Sequence, residues 1–277
     1  MVSPSNQERD NPIGIFDSGI GGLTVLSEVH KLLPSEDLIY LGDTARVPYG
    51  TKSPETVIRY TLRNILFLLE HQVKAVVVAC NTASAYGLNA LKGHFRVPVL
   101  GVIEPGAKRA LEVSRSKMVG VICTEGTISC GAYQKSLKKI DPKAEVVTQS
   151  CPLLVALAEE GRCEGEVVDL VLRDYLRPFA SAARKPDTLI LGCTHYPLFK
   201  KAMAKILGDG IRLVDSGPAT AAALSRLLDE KNLSRSGKRT GKLTFFATDA
   251  PERMRRLAPL FLGNEIPEVT QVEIKGF

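Results

Sequence analysis

Short runs rich in β-branched and other apolar residues punctuate the chain at Ile13–Phe16, Asp37–Leu41, Ala75–Ala79, Val97–Val102, Val119–Ile122, Glu145–Thr148, Thr188–Leu191 and Arg212–Val214. Between them lie longer amphipathic stretches, among them Pro54–Glu70, Cys151–Glu160, Gly165–Ala183 and Ala219–Glu230. Strand-length runs alternating with helix-length ones predict largely parallel sheets covered by helices, an α/β fold. The longest obvious apolar run, Ala75–Cys80, falls far short of the roughly 20 residues a membrane-spanning helix needs.

The chain is also written twice. Gly14-Ile15-Phe16-Asp17-Ser18-Gly19 is echoed by Gly120-Val121-Ile122-Cys123-Thr124-Glu125, and Val78-Ala79-Cys80-Asn81-Thr82 by Leu191-Gly192-Cys193-Thr194-His195. A third pair aligns Val102-Ile103-Glu104-Pro105-Gly106 with Leu213-Val214-Asp215-Ser216-Gly217, and the three spacings agree to within loop-length variation. Two similar, pseudo-symmetric α/β domains follow. The first is expected to be discontinuous, from residues 1–100 and 213–277, with the second formed by 101–212. In open parallel sheets ligands bind beyond the carboxyl ends of the strands, where each repeated motif sits. A rough two-fold between the halves then places Cys80 and Cys193 on opposite walls of one cleft, a mirrored pair of acid–base groups.

At 277 residues, 44% apolar and 24% charged, the composition is that of a globular protein of one large or two ordinary domains. The N-terminal stretch Met1–Pro12 is polar and of mixed charge, unlike a secretory or transit signal, so a loose tail and a cytoplasmic location are expected. None of the six cysteines forms a C-x-x-C pair, which excludes a zinc ribbon and favours free thiols. The net charge of +6 and the basic residues Arg235, Lys238, Arg239, Lys242, Arg253, Arg255 and Arg256 invite an anionic partner. No nucleic-acid-binding signature accompanies them, so a nucleic-acid or DNA-processing partner is unsupported, and a small anionic substrate uses basic character equally well.

Cys80-Asn81-Thr82 and Cys193-Thr194-His195 each set a thiol at a strand end, followed by hydrogen-bonding side chains and exposed amides that suit a carboxylate. Any single cysteine is more simply a small core residue, and Cys123, Cys130, Cys151 and Cys163 are read that way. Repetition with varied neighbours gives Cys80 and Cys193 a paired catalytic reading. His195, two residues from Cys193, is placed to stabilise the reactive thiolate. The turn Asp17-Ser18-Gly19-Ile20-Gly21-Gly22 lacks the third glycine of a dinucleotide fingerprint, since Thr24 stands in its place. Its glycines suit close approach to a small ligand, and Asp17 offers an acceptor for an ammonium or a thiol. The loop Leu41–Gly50, restrained by Pro48 and Gly50, is a candidate binding loop. Glu159 and Glu160, late in a helical stretch, read by themselves as solvated charges.

Taken together, GIFDSGIGGLTV at Gly14–Val25, YLGDTARVPYG at Tyr40–Gly50, VACNTASA at Val78–Ala85 and LGCTHYPL at Leu191–Leu198 resemble the bacterial glutamate racemases of the cofactor-independent aspartate/glutamate racemase superfamily. The resemblance spans nearly the whole chain. It implies interconversion of L- and D-glutamate for peptidoglycan synthesis, with no pyridoxal phosphate or metal, in a homodimer. Cys80 is then expected to act on D-glutamate and Cys193 on L-glutamate, assisted by Asp17 and His195. Substrate contacts carry over to Asp17, Ser18, Pro48, Tyr49, Gly50, Asn81, Thr82, Thr194 and His195. Glu159 matches an acidic position near the second thiol. Cys123 departs from the pattern, standing at a strand end where a small residue is usual. The N-terminal tail is short beside relatives activated by a peptidoglycan precursor, so such activation is expected to be weak or absent.

Overall fold

The computed structural model describes residues 6–91, 93–180, 185–237 and 239–274. Its strands are β1 (Ile13–Asp17), β2 (Leu38–Gly42), β3 (Ala75–Val78), β4 (Val99–Gly101), β5 (Met118–Cys123), β6 (Glu145–Ser150), β7 (Thr188–Gly192), β8 (Arg212–Asp215), β9 (Leu243–Ala247) and β10 (Val269–Gln271). The helices are α1 (Asn6–Asp10), α2 (Leu23–Leu32), α3 (Pro54–Glu70), α4 (Asn81–Leu91), α5 (Ile103–Val113), α6 (Glu125–Cys130), α7 (Ala132–Ile140), α8 (Pro152–Glu159), α9 (Glu166–Ala180), α10 (Lys200–Leu207), α11 (Ser216–Glu230) and α12 (Pro251–Leu262). Part of the helix expected to end at Ala183 lies outside the described residues.

The strands form two sheets, parallel throughout, with orders β10-β9-β2-β1-β3-β4 and β6-β5-β7-β8. The segment β2-β1-β3-β4 has the same order as the whole second sheet. Register reproduces two of the sequence repeats: Phe16 pairs with Val78 in the first sheet and Ile122 with Leu191 in the second. The third repeat is out of register. Val78 pairs with Gly101 and Leu191 with Asp215, so Gly101, not Glu104, is the counterpart of Asp215. The expected return to the first half near residue 213 falls within β8, which belongs to the second sheet, so the crossover follows Asp215.

Each sheet carries a core on both faces. In the first, α2, α11 and α12 cover one side through Leu26, Leu224 and Leu257, while α3 and α4 cover the other through Ile65, Leu68 and Ala83. In the second, α8, α9 and α10 pack through Leu154, Leu176 and Met203, with α5 and α7 opposite through Ala110 and Leu137. Burial on both faces explains why β3 reads Ala-Val-Val-Val without alternation. Helix α3 starts where expected because Ser53 Oγ accepts from Thr56 N at 3.3 Å and Pro54 occupies the first turn, where its missing N–H costs nothing.

The N-terminal segment is held more firmly than its composition suggested. Residues 6–10 form α1, and the buried Lys74 ammonium binds Glu36 Oε2 at 2.6 Å, the Arg9 carbonyl at 2.6 Å and the Leu233 carbonyl at 2.8 Å. Arg235 pairs with Asp37 at 2.9 Å and with Asp10 at 3.6 Å. Arg239 also pairs with Asp37, Arg253 with Glu160 and Arg255 with Glu252, so much of the basic C-terminal cluster is neutralised internally. Lys238 lies outside the described residues. Among the described residues no helix is long and apolar enough to cross a membrane.

Lys74 closes a buried network, and losing it leaves the Glu36 carboxylate short of its nearest cation. Lys74→Ala is expected to lower the unfolding free energy by about 3 kcal/mol in urea titration; a change under about 1 kcal/mol would show the network to be dispensable.

Candidate active site

The chemistry gathers where the carboxyl ends of the two sheets meet. Cys80 follows β3 and immediately precedes α4, and Cys193 follows β7; they are 6% and 7% exposed. The Cys80 thiol donates to Ser18 Oγ at 3.5 Å, and its sulfur receives the Ala83 N–H at 3.5 Å. Cys193 Sγ lies 3.7 Å from His195 Nδ1, and His195 Nε2 lies 2.8 Å from Glu159 Oε1. Asp17, fully buried at the end of β1, accepts from the Gly19 N–H at 3.0 Å and from Thr194 Oγ1 at 3.3 Å.

The two halves touch with very little room. A β-carbon on Gly21 would lie 2.5 Å from Thr194 Oγ1 and 2.6 Å from the His195 ring; one on Gly50 would lie 2.6 Å from Thr124 Cβ. Thr24 Oγ1 donates to the Thr194 carbonyl at 3.0 Å. On the far side of Cys80, Thr82 Oγ1 lies 2.8 Å from Thr124 Oγ1 and 3.3 Å from Thr127 Oγ1. Asn81 Oδ1 accepts from the Tyr133 hydroxyl at 2.7 Å. Two surface cavities, of about 520 and 810 Å³, lie instead beside the edge strands β4 and β8.

Burial sets the protonation states. It pushes Cys80 up to about 12, aided by the nearby Asp17 charge, against the hydrogen bonds from Ala83 and with Ser18. Burial also raises Asp17, opposed by the His195 charge, the Gly19 and Gly22 amides and the Thr194 hydroxyl. For His195 burial pulls downward, but hydrogen bonds and charges from Cys193 and Glu159 outweigh it and push the imidazole up to about 10. At neutral pH the arrangement is a protonated thiol at Cys80 and, across the seam, an imidazolium beside Cys193 held by Glu159.

Asp17, Ser18, Cys80, Asn81, Thr82, Cys193, Thr194 and His195 are buried together, and Glu159 reaches them through His195. Glu159 is therefore no solvated charge; Glu160, its neighbour, is exposed and paired with Arg253 at 2.9 Å. In the binding loop Pro48 is exposed while Tyr49 and Gly50 are buried, and the Tyr49 hydroxyl is committed to Asp43 and Asn64. Cys123 and Cys151 are buried thiols raised by desolvation. All six cysteines are free, and among the described residues no cluster of three or more His, Cys, Asp or Glu is arranged to hold a metal. Thr124, Thr127 and Tyr133 were missed. Thr124 was legible in principle, since the first repeat sets it opposite Ser18.

Two parallel α/β halves, each delivering one thiol to a shared buried seam, define a class of enzyme rather than a binding module. The chain belongs to the Asp/Glu/Hydantoin racemase family, whose model matches residues 18–224. It is 52% identical to a glutamate racemase of Geobacter metallireducens over 95% of this chain and 97% of that one. The fold is similar to the glutamate racemase isoform RacE1 of Bacillus anthracis, with TM-score 0.90, 38% identity and coverage of 96% and 98% of the two chains. It is equally similar to a Francisella tularensis glutamate racemase in complex with D-glutamate, with TM-score 0.89, 37% identity and coverage of 97% and 100%.

The raised His195 pKa carries a stability signature. A histidine lifted from 6.5 to about 10 contributes stability that is complete below pH 6.5 and is lost as pH rises through 10. Glu159→Gln weakens that lift. The parent is expected to exceed the variant by about 2 kcal/mol near pH 6 in urea unfolding, the gap shrinking toward pH 10; a pH-independent gap would sink the imidazolium assignment.

Proposed function

We propose that the protein interconverts L- and D-glutamate by proton transfer between Cys80 and Cys193 across the seam of two domains, one discontinuous and one continuous. The observation that carries this is the pairing of two buried thiols from equivalent positions of a duplicated fold, in unlike electrostatic settings. Racemisation needs a base on one face of the α-carbon and an acid on the other. With L-glutamate, Cys193 as thiolate beside the His195 imidazolium takes the α-proton, and the Cys80 thiol returns a proton to the opposite face. In the reverse direction Cys80 must ionise, and Asp17, itself raised by burial, is the neighbouring group able to take up that proton.

The carbanion-like intermediate needs hydrogen-bond donors fixed before the reaction, in a site that excludes water. Ser18, Asn81, Thr82 and Thr194 are assigned to the substrate carboxylates together with the backbone of Pro48, Tyr49 and Gly50. Asp17 is assigned to the α-ammonium as well as to Cys80. Held between opposed thiols, the α-carbon requires no cofactor to be approached from both faces. The same reading assigns the protein to D-glutamate supply for peptidoglycan in the cytoplasm, as a homodimer. The glutamate racemase names of its relatives support the substrate.

The test is circular dichroism of pure L-glutamate with reduced protein stripped of metal and pyridoxal phosphate, repeated with L-aspartate. Ellipticity is expected to fall to zero with glutamate alone. Cys80→Ala and Cys193→Ala are each expected to lose about a thousandfold or more in turnover. Near-parental turnover in either variant would remove the two-thiol mechanism, and loss of the aspartate signal alone would reassign the substrate.

A further inference from the structure

The seam is tied together asymmetrically at the residue that follows each thiol. Thr194, after Cys193, donates to Asp17 of the opposite half at 3.3 Å. Asn81, after Cys80, also bonds across the seam, but its partner is not the residue symmetry supplies. The repeat equivalent of Asp17 is Cys123, and a thiol is a weak hydrogen-bond partner. The second half instead sends a phenol from α7: the Tyr133 hydroxyl donates to Asn81 Oδ1 at 2.7 Å. Its ring lies against Gly192, where a β-carbon would stand 2.9 Å from Tyr133 Cε2. Any larger residue before Cys193 would displace it.

Tyr133 and Asn81 are 1% and 2% exposed. With Oδ1 engaged, Asn81 Nδ2 has no hydrogen-bond partner among the described residues, an unsatisfied donor buried one residue from Cys80. A buried unpaired donor is costly unless something accepts from it. A primary amide has two orientations that exchange donor and acceptor, and a phenol, a better donor than acceptor, selects the one with Oδ1 toward itself.

We infer that Tyr133 is a positioning residue, whose hydroxyl locks the Asn81 side chain so that its NH2 group is presented to a substrate carboxylate beside Cys80. This rests on the amino-acid racemisation proposed above. Tyr133 touches no reacting atom; it acts through Asn81, and it makes binding by the first half depend on the second half being docked.

Tyr133→Phe removes one oxygen atom and frees the amide to turn. KM for both glutamate enantiomers is expected to rise about tenfold while kcat changes less than about threefold, with cooperative thermal unfolding retained. Calorimetric titration with D-glutamate of proteins that also carry Cys193→Ala, and so leave the titrant unconverted, supplies a double-mutant cycle that does not depend on turnover. Tyr133→Phe is expected to weaken Kd about tenfold in that background and less than about twofold where Asn81→Ala is added to it. An unchanged KM, or an equal loss of affinity in both backgrounds, would overturn the inference, and so would a Tyr133→Phe protein that fails to fold, because Tyr133 would then be structural. The parent is assayed alongside: no racemisation by folded parent protein would overturn the racemase reading itself, an outcome distinct from an active parent whose variant keeps its KM.

Discussion

A β-carbon at Gly21 would sit within van der Waals exclusion of both Thr194 and His195, and one at Gly50 would collide with Thr124. The chemistry of the molecule depends on this absence of room. Where two strand-end turns approach so closely, water is displaced and the charges of one half act on the other through protein rather than solvent. Asp17 ends a strand of the first sheet, yet His195 of the second is the strongest influence opposing its burial. Cys80 is held protonated by the low-dielectric surroundings and by Asp17. Each thiol is surrounded by its own half, Cys80 by Ser18 and Asp17 and Cys193 by His195, and the halves act on each other through the charged neighbours Asp17 and His195.

Duplication explains the opposed thiols, and divergence of the copies explains why they differ. The shared order β2-β1-β3-β4 and β6-β5-β7-β8 puts Cys80 and Cys193 at equivalent strand ends. Around them the equivalences are unlike: Asp17 against Cys123, Ser18 against Thr124, Asn81 against Thr194 and Thr82 against His195. A strictly symmetric pair would ionise alike and compete for the same proton. An anion beside Cys80 and a cation beside Cys193 give the two thiols unlike electrostatic settings. Glu159 completes the cationic side by holding His195 from Nε2.

What the sequence made legible followed the range of each interaction. All eight nominated strands exist, and five of them, β1, β2, β3, β5 and β7, are fully buried apolar runs visible in four to six residues. Strands β9 and β10 escaped notice. β9 reads Leu-Thr-Phe-Phe-Ala and is only partly buried, and β10 is three residues long at the sheet edge, so neither stands out from an ordinary loop. The repeats located both thiols, yet the third was placed three residues out of register because β4 ends at Gly101 while β8 runs through Asp215. Glu159 by itself looked solvated, since nothing local indicates that His195, far along the chain, closes onto it. The basic C-terminal residues misled in the same way: Arg235 is 7% exposed at its side chain and neutralised by carboxylates from the N-terminal segment.

A closed polar seam also has to satisfy its own hydrogen-bonding groups, and the two walls do this differently. Thr82, Thr124 and Thr127 are hydroxyls that donate or accept, so the three satisfy one another at 2.8 to 3.3 Å and can redistribute their protons without moving the backbone. An amide has no such freedom, because its donor and acceptor ends are distinct atoms. Asn81 is therefore a polar group on the Cys80 wall whose orientation is selected from outside its own half, by the Tyr133 hydroxyl of the other. The duplication placed two thiols at equivalent strand ends, divergence set unlike charged neighbours beside them, and the glycine-lined seam brings those neighbours, Asp17 and His195, within reach of each other.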